Sequence, residues 1–363
     1  MRKTMSVILA TVLAAAALAG CGSSAPSAPA TTAAPAATSG EAQDKQESQS
    51  AAPETGKAAA KDTIVLRLAE TQTETYPATM GAIEFARLVE EKTDGRIRIE
   101  VFTGGQLGGD EQAILEQVQF GAIDFTRVNF APMTEFAPIL NLLQMPYLFT
   151  DADHMHKVID SEIGKELLDS VEAGNFIGLA LYDAGTRNFY NSVRPIKTVE
   201  DMKGLKIRTT QSQLIVDMVE ALGASATPMA FGEVYSSLQT GVIDGAENNW
   251  VSYDQNSHYE VAKYISLDGH TAPPEILVCS KMVFDKLSPE DQQIIRECAK
   301  ESELWERDKY GQVEKEAMDK VIAAGSEVSE LDDREGFVKA VEPLYEKYAG
   351  DYMDTLQAII DMQ

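Results

Sequence analysis

The sequence GTRNFYN (185–191) opens a stretch that continues through MKGLKIR (202–208) and PMAFGEVY (228–235) to DGAENNW (244–250). The residues LKIR follow a glycine and alternate apolar with basic side chains, which predicts a short strand ending at Arg208. A guanidinium held at a strand end can bind a carboxylate through two parallel hydrogen bonds. The stretch therefore predicts a site for an organic acid or, in the simpler alternative, a salt bridge on the surface or between domains.

The chain has 363 residues and a formal net charge of -26. This length suffices for about two domains of ~150 residues each. The acidic balance disfavours nucleic-acid binding, which needs clustered Lys and Arg. An anionic ligand remains possible, because surface charge is screened over about 10 Å at ordinary ionic strength and the local arginines set the field of a cleft.

Residues 1–21 combine Arg2 and Lys3 with a short apolar run and the ending LAGC. This pattern predicts an export signal with a lipobox, so that Cys21 becomes a lipidated N-terminus on the outer face of a membrane or in the periplasm. An ordinary signal peptide with an incidental cysteine is the alternative. Residues 22–61 are rich in Ala, Pro, Ser and Thr, which predicts a disordered tether and a folded body of residues 62–363.

The folded body alternates strand and helix patterns. TIVLRLAE (63–70) and RIRIEVF (96–102) read as strands on either side of an amphipathic helix, which predicts an α/β fold with a mostly parallel sheet. FIGLALYDAGTRNFY (176–190) is predicted to form the strand that opens a second half. Ser288 and Pro289 are typical of a helix start, and the pattern that follows predicts a helix over 289–323, roughly 50 Å long, that bridges both halves.

Two segments of the chain resemble each other. VQFGAID (118–124) and LQTGVID (238–244) both place a glycine at the predicted end of a helix and an aspartate three residues later. Asn129 and Asn249 each lie five residues beyond the aspartate. The pattern indicates two similar structural units. The alternative is chance similarity, because many helices end with the same kinds of residue.

These segments together resemble the solute-binding subunit of tripartite ATP-independent periplasmic (TRAP) transporters, the DctP-like family. The resemblance rests on RPIKTVEDMKGLKIRTTQS (194–212), on the stretch from 222 to 250, and upstream on 84–125 and MPYLF (145–149), and it extends from about Thr63 to the C-terminus. It implies a two-lobe periplasmic-binding-protein fold with a ligand cleft between lobe I (62–183, with segments returning after 275) and lobe II (184–274).

The resemblance also implies roles for individual residues. Arg208 becomes the principal carboxylate clamp and Arg187 a second cationic donor, while Phe231 covers an apolar face of the ligand and Trp250 could stack on a sugar ring. The remaining candidates are polar: Gln211, Asn248, Asn129, Glu70 and, in addition, Asp110.

The implied function is capture of an organic acid by domain closure and delivery to a separate permease driven by an ion gradient. Trp250 favours a sugar acid such as a hexuronate; a C4-dicarboxylate, a keto acid, or a sensing role with a signalling receptor are alternatives. The sequence contains no phosphate loop, metal helix or nucleophile elbow, so we expect no enzyme and no cofactor. His154 and His156 lack the pattern of a complete metal site, and Cys279 and Cys298 are expected to be buried thiols.

Overall fold

The computed structural model describes residues 63–363. The signal segment, Cys21 and the tether predicted for 1–61 lie outside the described residues. Within 63–363, no helix combines the length and the apolar character needed to cross a membrane.

Eleven strands form two sheets in the described part of the chain. Their bounds are β1 Ile64–Ala69, β2 Ile97–Phe102, β3 Phe125–Asn129, β4 Phe176–Tyr182, β5 Arg187–Asn191, β6 Lys206–Thr209, β7 Ser225–Pro228, β8 Gly245–Asn248, β9 Tyr264–Thr271, β10 Glu275–Ser280 and β11 Glu327–Glu330.

Fourteen α-helices connect and cover these strands within residues 63–363. They are α1 Pro77–Lys92, α2 Glu111–Gln119, α3 Phe130–Met133, α4 Ala152–Ile159, α5 Glu162–Ser170, α6 Gln213–Ala221, α7 Val234–Thr240, α8 Trp250–Gln255, α9 His258–Val261, α10 Lys281–Phe284, α11 Pro289–Ala323, α12 Arg334–Val341, α13 Pro343–Ala349 and α14 Met353–Ile360.

The first sheet has the strand order β2-β1-β3-β10-β4 and the second has the order β11-β9-β5-β8-β6-β7. Pairs between β1, β2 and β3, and between β6, β7 and β8, are parallel, as the strand and helix alternation predicts. Strands β10 and β5 run antiparallel to their neighbours. Each sheet thus contains a single reversed strand, β10 in the first and β5 in the second, and the predicted α/β architecture with two mostly parallel sheets is confirmed.

One predicted strand is in fact two. The segment 176–190 was expected to form a single strand of the second half, but β4 belongs to the first sheet and β5 to the second. Gly185, between them, has a φ of +62°. A Cβ at this position would also lie 2.1 Å from the Tyr310 hydroxyl, so the chain crosses between the sheets at a point where only glycine fits.

The two similar sequence segments form equivalent structures. Gly121 and Gly241 follow their helices with φ values of +71° and +72°. The carboxylate of Asp124 accepts a hydrogen bond from a backbone N–H of the neighbouring parallel strand at 2.6 Å, and Asp244 does the same at 2.8 Å. Each aspartate thus joins the start of its strand to the next strand, and the resemblance reflects a repeated structural unit.

The ends of these two strands also correspond. The side chain of Asn129 accepts a hydrogen bond from Ala131 N at 2.9 Å, and that of Asn249 accepts one from Ser252 N at 2.7 Å. Both asparagines therefore cap the helix that follows their strand. Polar side chains at this edge face the space between the sheets, and the functional site lies there.

The long helix α11 begins as its sequence predicts, since Ser288 Oγ accepts a hydrogen bond from Asp291 N at 3.1 Å. It packs against α1 and β4 with Cys298 and Ala299, and its last turns place Val321 in the core cluster of the second sheet.

Two glutamates of α11 bind the backbone of the first sheet. Glu303 Oε2 accepts a hydrogen bond from Leu181 N at 3.0 Å, and Glu306 Oε2 accepts one from Asp183 N at 2.9 Å. Burial raises the pKa of Glu306 well above its ordinary value. These bonds fix the end of β4, from which the chain crosses to the second sheet.

Candidate functional site

A cavity of about 30 Å³ lies between the two sheets. Ligand pockets for small molecules measure roughly 300 to 1,000 Å³, so the two halves have to move apart to admit a ligand. Residues from strand ends and adjoining loops of both halves line it: Gln72, Glu111, Asn129, Arg187, Arg208, Thr210, Phe231, Asn248 and Glu275.

Arg208 lies near the end of β6 and is 4% exposed. Its Nε and Nη2 donate to Met229 O at 3.2 and 2.8 Å, and no carboxylate among residues 63–363 lies within 4.0 Å of its guanidinium nitrogens. Burial lowers the pKa of this guanidinium. A buried cation without an anionic partner carries an uncompensated desolvation cost, which an anionic ligand would relieve.

Phe231 lies beside this arginine, in a short turn of 3-10 helix before α7. Its ring centroid is 5.9 Å from Arg208 Cζ, a distance typical of a cation–π contact. The ring also forms part of the cavity wall and supplies the apolar surface that the sequence predicted at this position.

Arg187, by contrast, has protein partners. Its Nε donates to Glu247 Oε2 at 2.5 Å, its Nη1 to Asn248 Oδ1 at 2.9 Å and its Nη2 to Glu247 O at 2.9 Å. Burial would raise the pKa of Glu247, but Arg187 and His270 outweigh it and lower the pKa to about 2. Arg187 is therefore held in a fixed orientation at the cavity, with much of its charge compensated.

The amide groups of the site are oriented by the backbone. Asn248 Oδ1 accepts hydrogen bonds from Arg187 Nη1 and from Asn249 N, both at 2.9 Å, and Asn129 Oδ1 caps α3. The oxygen of each amide is thus occupied, and each side-chain nitrogen is the group that can donate to a ligand. Asn129 comes from the first sheet and Asn248 from the second, so the two donors are on opposite sides of the cavity.

The first sheet contributes an acidic side to the cavity. Arg127, fully buried on β3, forms ion pairs with Glu70 and with Glu275, whose Oε2 lies 2.9 Å from Arg127 Nη1. Glu111 Oε1 is 3.8 Å from the same nitrogen. Burial raises the pKa of Glu275 to about 7 and also raises that of Glu111.

Four of the predicted site residues do not line the cavity: Glu70, Trp250, Gln211 and Asp110. Glu70 accepts hydrogen bonds from Arg127 and from Gln72 N, and its side chain is fully buried. Trp250 packs in the core of the second sheet near Tyr253, so its position gives no support to a role as a stacking platform. Gln211 is half-buried and is likewise absent from the lining.

The sequence interpretation missed four lining residues, and three of them are close neighbours of candidates. Thr210 precedes Gln211, Gln72 lies two residues after Glu70, and Glu111 follows Asp110, which caps α2 instead. The fourth, Glu275, begins β10. Its nearness to Asn129 depends on antiparallel pairing with β3, which no local pattern reveals.

Two glycines face each other beside the cavity. A Cβ built on Gly232 would lie 3.7 Å from Gly109 O and 3.8 Å from Gly109 Cα. Gly109 precedes α2 and Gly232 precedes α7, so this contact joins the loops of the two halves. Neither glycine has a positive φ, which means that the absence of a side chain, rather than an unusual backbone conformation, distinguishes these positions.

The two histidines of α4 have separate partners. His154 Nε2 is 2.8 Å from Ile359 O, and His156 Nε2 is 2.8 Å from Asp183 Oδ2. Residues 63–363 contain no group of three or more His, Cys, Asp or Glu side chains arranged to hold a metal ion. Cys279 and Cys298 are both buried and unpaired.

An α/β protein with a cavity between two sheets, lined by arginines from one sheet and by amides from both, has the architecture of a solute-binding protein. Residues 68–351 match the family model of the bacterial extracellular solute-binding proteins, family 7. The chain belongs to this family, and its solved relatives are TRAP periplasmic solute-binding proteins.

The relatives include proteins with known ligands. A TRAP periplasmic solute-binding protein from Xanthobacter autotrophicus Py2, solved with bound β-D-galacturonate, is 41% identical, with 82% of this chain and 100% of that chain covered and a TM-score of 0.80. One from Pseudomonas putida F1, with bound D-glucuronate, is 37% identical, with 82% and 96% covered and a TM-score of 0.79. The 2,3-diketo-L-gulonate-binding periplasmic protein YiaO of Escherichia coli (strain K12) is 33% identical, with 86% of this chain and 95% of YiaO covered.

Proposed function

We propose that this protein captures a hexuronate in the cavity between its two sheets and delivers it to a TRAP permease. The observation that carries the proposal is Arg208, a buried guanidinium at the cavity without a carboxylate partner in the described chain. A ligand carboxylate would supply the missing anion, and hydrogen bonds to charged groups contribute roughly 1.5 to 3 kcal/mol each. Arg187, oriented by Glu247, and Asn248, oriented by Arg187, would donate to the same end of the ligand.

The capture step follows from the placement of the lining residues in both halves. Asn129, Gln72 and Glu275 approach the cavity from the first sheet, whereas Arg187 and Arg208 approach it from the second. A ligand that contacts both sides binds the closed arrangement more tightly than an open one, and it shifts the population by that difference in affinity. The contact between Gly109 and Gly232 would form on closure.

The hexuronate assignment is supported by the relatives with bound galacturonate and glucuronate. Delivery to a permease driven by an ion gradient is supported by membership of the TRAP type. The lipobox at Cys21 would anchor the protein on the outer side of the membrane, with residues 22–61 as the tether.

Thermal unfolding of the purified protein against a ligand panel tests the ligand assignment. D-galacturonate or D-glucuronate at 100 times its dissociation constant should stabilise the native state by ~2.7 kcal/mol. Galactose, which lacks the carboxylate, should have little effect at the same concentration. A response to galactose and none to the uronates would contradict the proposal.

The anchor is tested separately by cell fractionation. The wild-type protein should sediment with membranes, and Cys21→Ser should appear in the soluble extracytoplasmic fraction or retain its uncleaved signal segment. An equal distribution of the two proteins, with the signal segment removed from both, would show that Cys21 is not the anchor, without bearing on ligand capture.

A further inference from the structure

The cavity has two sides of opposite charge. Arg187 and Arg208 stand on the side of the second sheet, and Glu111 and Glu275 stand on the side of the first. All four residues line the same cavity. A ligand that fills this space therefore places one end among cations and the other end beside carboxylates.

The carboxylates of the acidic side outnumber the cation that neutralises them. Arg127 is the cationic partner of Glu70, Glu275 and, at 3.8 Å, Glu111. Glu70 occupies two nitrogens of the guanidinium through both of its oxygens. Near neutral pH this side carries excess negative charge, although Glu275 titrates with a pKa of about 7.

Two polar atoms of the lining lack hydrogen-bond partners within residues 63–363. Glu275 Oε2 lies near Arg127 Nη1 without forming a hydrogen bond, and Thr210 Oγ1 has no partner. Their residues are 4% and 9% exposed. Buried polar groups of this kind are usually satisfied, so these two atoms are available to a ligand that brings complementary groups.

A hydroxyl group can donate a hydrogen bond to a glutamate of the acidic side, whereas an ionised ligand carboxylate cannot. A sugar hydroxyl can donate to Glu275 or Glu111 and can accept from Thr210. A second carboxylate in the same place would stand against like charges in a poorly solvated space, and such a pairing costs several kcal/mol. The acidic side would thus distinguish between acids that carry one carboxylate and acids that carry two.

We propose that Glu111 and Glu275 form a selectivity element that accepts the hydroxyl end of a sugar monocarboxylate and rejects ligands with a carboxylate at both ends. The proposal rests on the proposed function and specifies which acids the site excludes. It predicts that hexarates and C4-dicarboxylates bind poorly even though they present a carboxylate to Arg208.

Calorimetric titration of the purified protein at pH 8 compares D-galacturonate with galactarate, the six-carbon acid in which C1 of galacturonate is oxidised to a second carboxylate and the sugar ring cannot form. Galactarate should bind at least ~100-fold more weakly than galacturonate. Glu111→Gln and Glu275→Gln keep the shape of the side chain and remove its charge, so each should reduce this ratio. Glu116→Gln, exposed on the same helix as Glu111, should leave the ratio unchanged.

The wild-type ratio tests the proposal even if the Glu275 variant fails to fold. Galactarate and galacturonate affinities within threefold of each other would overturn the selectivity element and leave hexuronate capture intact. An affinity ratio that stays the same in both Glu111→Gln and Glu275→Gln would also overturn the selectivity element. Failure of both galacturonate and glucuronate to bind the wild type would overturn the proposed function and this inference together.

Discussion

Arg127 and Glu247 occupy corresponding positions on β3 and β8, the equivalent strands of the two sheets, and carry opposite charges. Each is fully buried and is surrounded by side chains of the other sign. Arg127 binds Glu70 and Glu275, whereas Glu247 binds Arg187 and lies 3.4 Å from His270. The two copies of the repeated unit thus carry opposite charges at this position. The cavity accordingly receives carboxylates from the first sheet and guanidinium groups from the second.

The central role of Arg127 predicts a large loss of stability in Arg127→Met. The variant leaves Glu70 and Glu275 buried without their cation, and removal of one partner from a buried pair costs about 3 to 5 kcal/mol. Arg98→Met removes an exposed partner of Glu100 and should cost under ~1 kcal/mol. Chemical denaturation measures the loss of unfolding free energy in both variants. Equal losses would show that the buried ion pairs of Arg127 contribute no more to stability than the exposed pair of Arg98.

Arg208→Gln should weaken hexuronate binding by about tenfold to more than hundredfold, because it removes the charge that pairs with the ligand carboxylate. The folded state should persist, since no protein carboxylate within residues 63–363 is paired with this residue. Lys206→Gln removes an exposed positive charge from the same strand and serves as the matched control. Calorimetry should show a large loss of ligand affinity only for Arg208→Gln. Wild-type affinity in that variant would show that Arg208 does not bind the ligand carboxylate.

The contact between Gly109 and Gly232 predicts a graded effect of side-chain size on binding. An alanine at position 232 would make ordinary van der Waals contact at 3.7 Å and should bind ligand almost as the wild type does. Gly232→Phe would overpack the contact, at roughly 1 to 3 kcal/mol, and so weaken affinity about five- to hundredfold.

Thermal unfolding without ligand distinguishes this effect from a general loss of stability. Gly232→Phe should unfold near the wild-type temperature, because only the closed arrangement is disturbed. Equal affinities for the alanine and phenylalanine variants would show that the two loops do not need to meet.

His270 predicts a dependence of stability on alkaline pH. Burial lowers its pKa, but Asp268 at 2.8 Å and Glu247 at 3.4 Å outweigh this and raise the pKa to about 9. Because the unfolded pKa is about 6.5, the stability contributed by the imidazolium is complete below pH 6.5 and is lost as pH rises through 9.

Denaturation of the ligand-free protein between pH 6.5 and 9 measures this loss, which His270→Gln should remove. Burial lowers the pKa of His258 to about 3, so this second buried histidine is neutral across the same range. His258→Gln should therefore retain the decline, even if its absolute stability falls. A wild-type stability that is constant over this interval would contradict the charged state of His270.

The sequence predicts best those features that a local pattern specifies. The strand after Gly204 brings Arg208 to the cavity, the start of α11 follows from Ser288 and Pro289, and the repeated glycine and aspartate positions mark equivalent units. In each case the residues that form the feature are neighbours in the chain, so their chemistry alone indicates the structure.

For the remaining positions, whether a residue belongs to the site depends on which face of the strand end is turned towards the cavity. Side chains alternate between the two faces of a strand, so an assignment that is wrong by one residue selects the opposite environment. Thr210 lines the cavity and Gln211 does not. At the start of α2, Glu111 lines the cavity, whereas Asp110 is occupied as the cap of the helix. Glu275 required the tertiary pairing of β10 with β3, which is not visible in one sequence.

The bonds from Glu303 and Glu306 of α11 to the backbone of β4 have a consequence beyond fixing the crossing point. Strand β4 is the last strand of its sheet, and an outermost strand presents unpaired N–H groups that can recruit a strand from another molecule. Carboxylates accept from two of these groups, at Leu181 and just beyond the strand at Asp183. The helix thereby protects the protein against intermolecular β-pairing and aggregation.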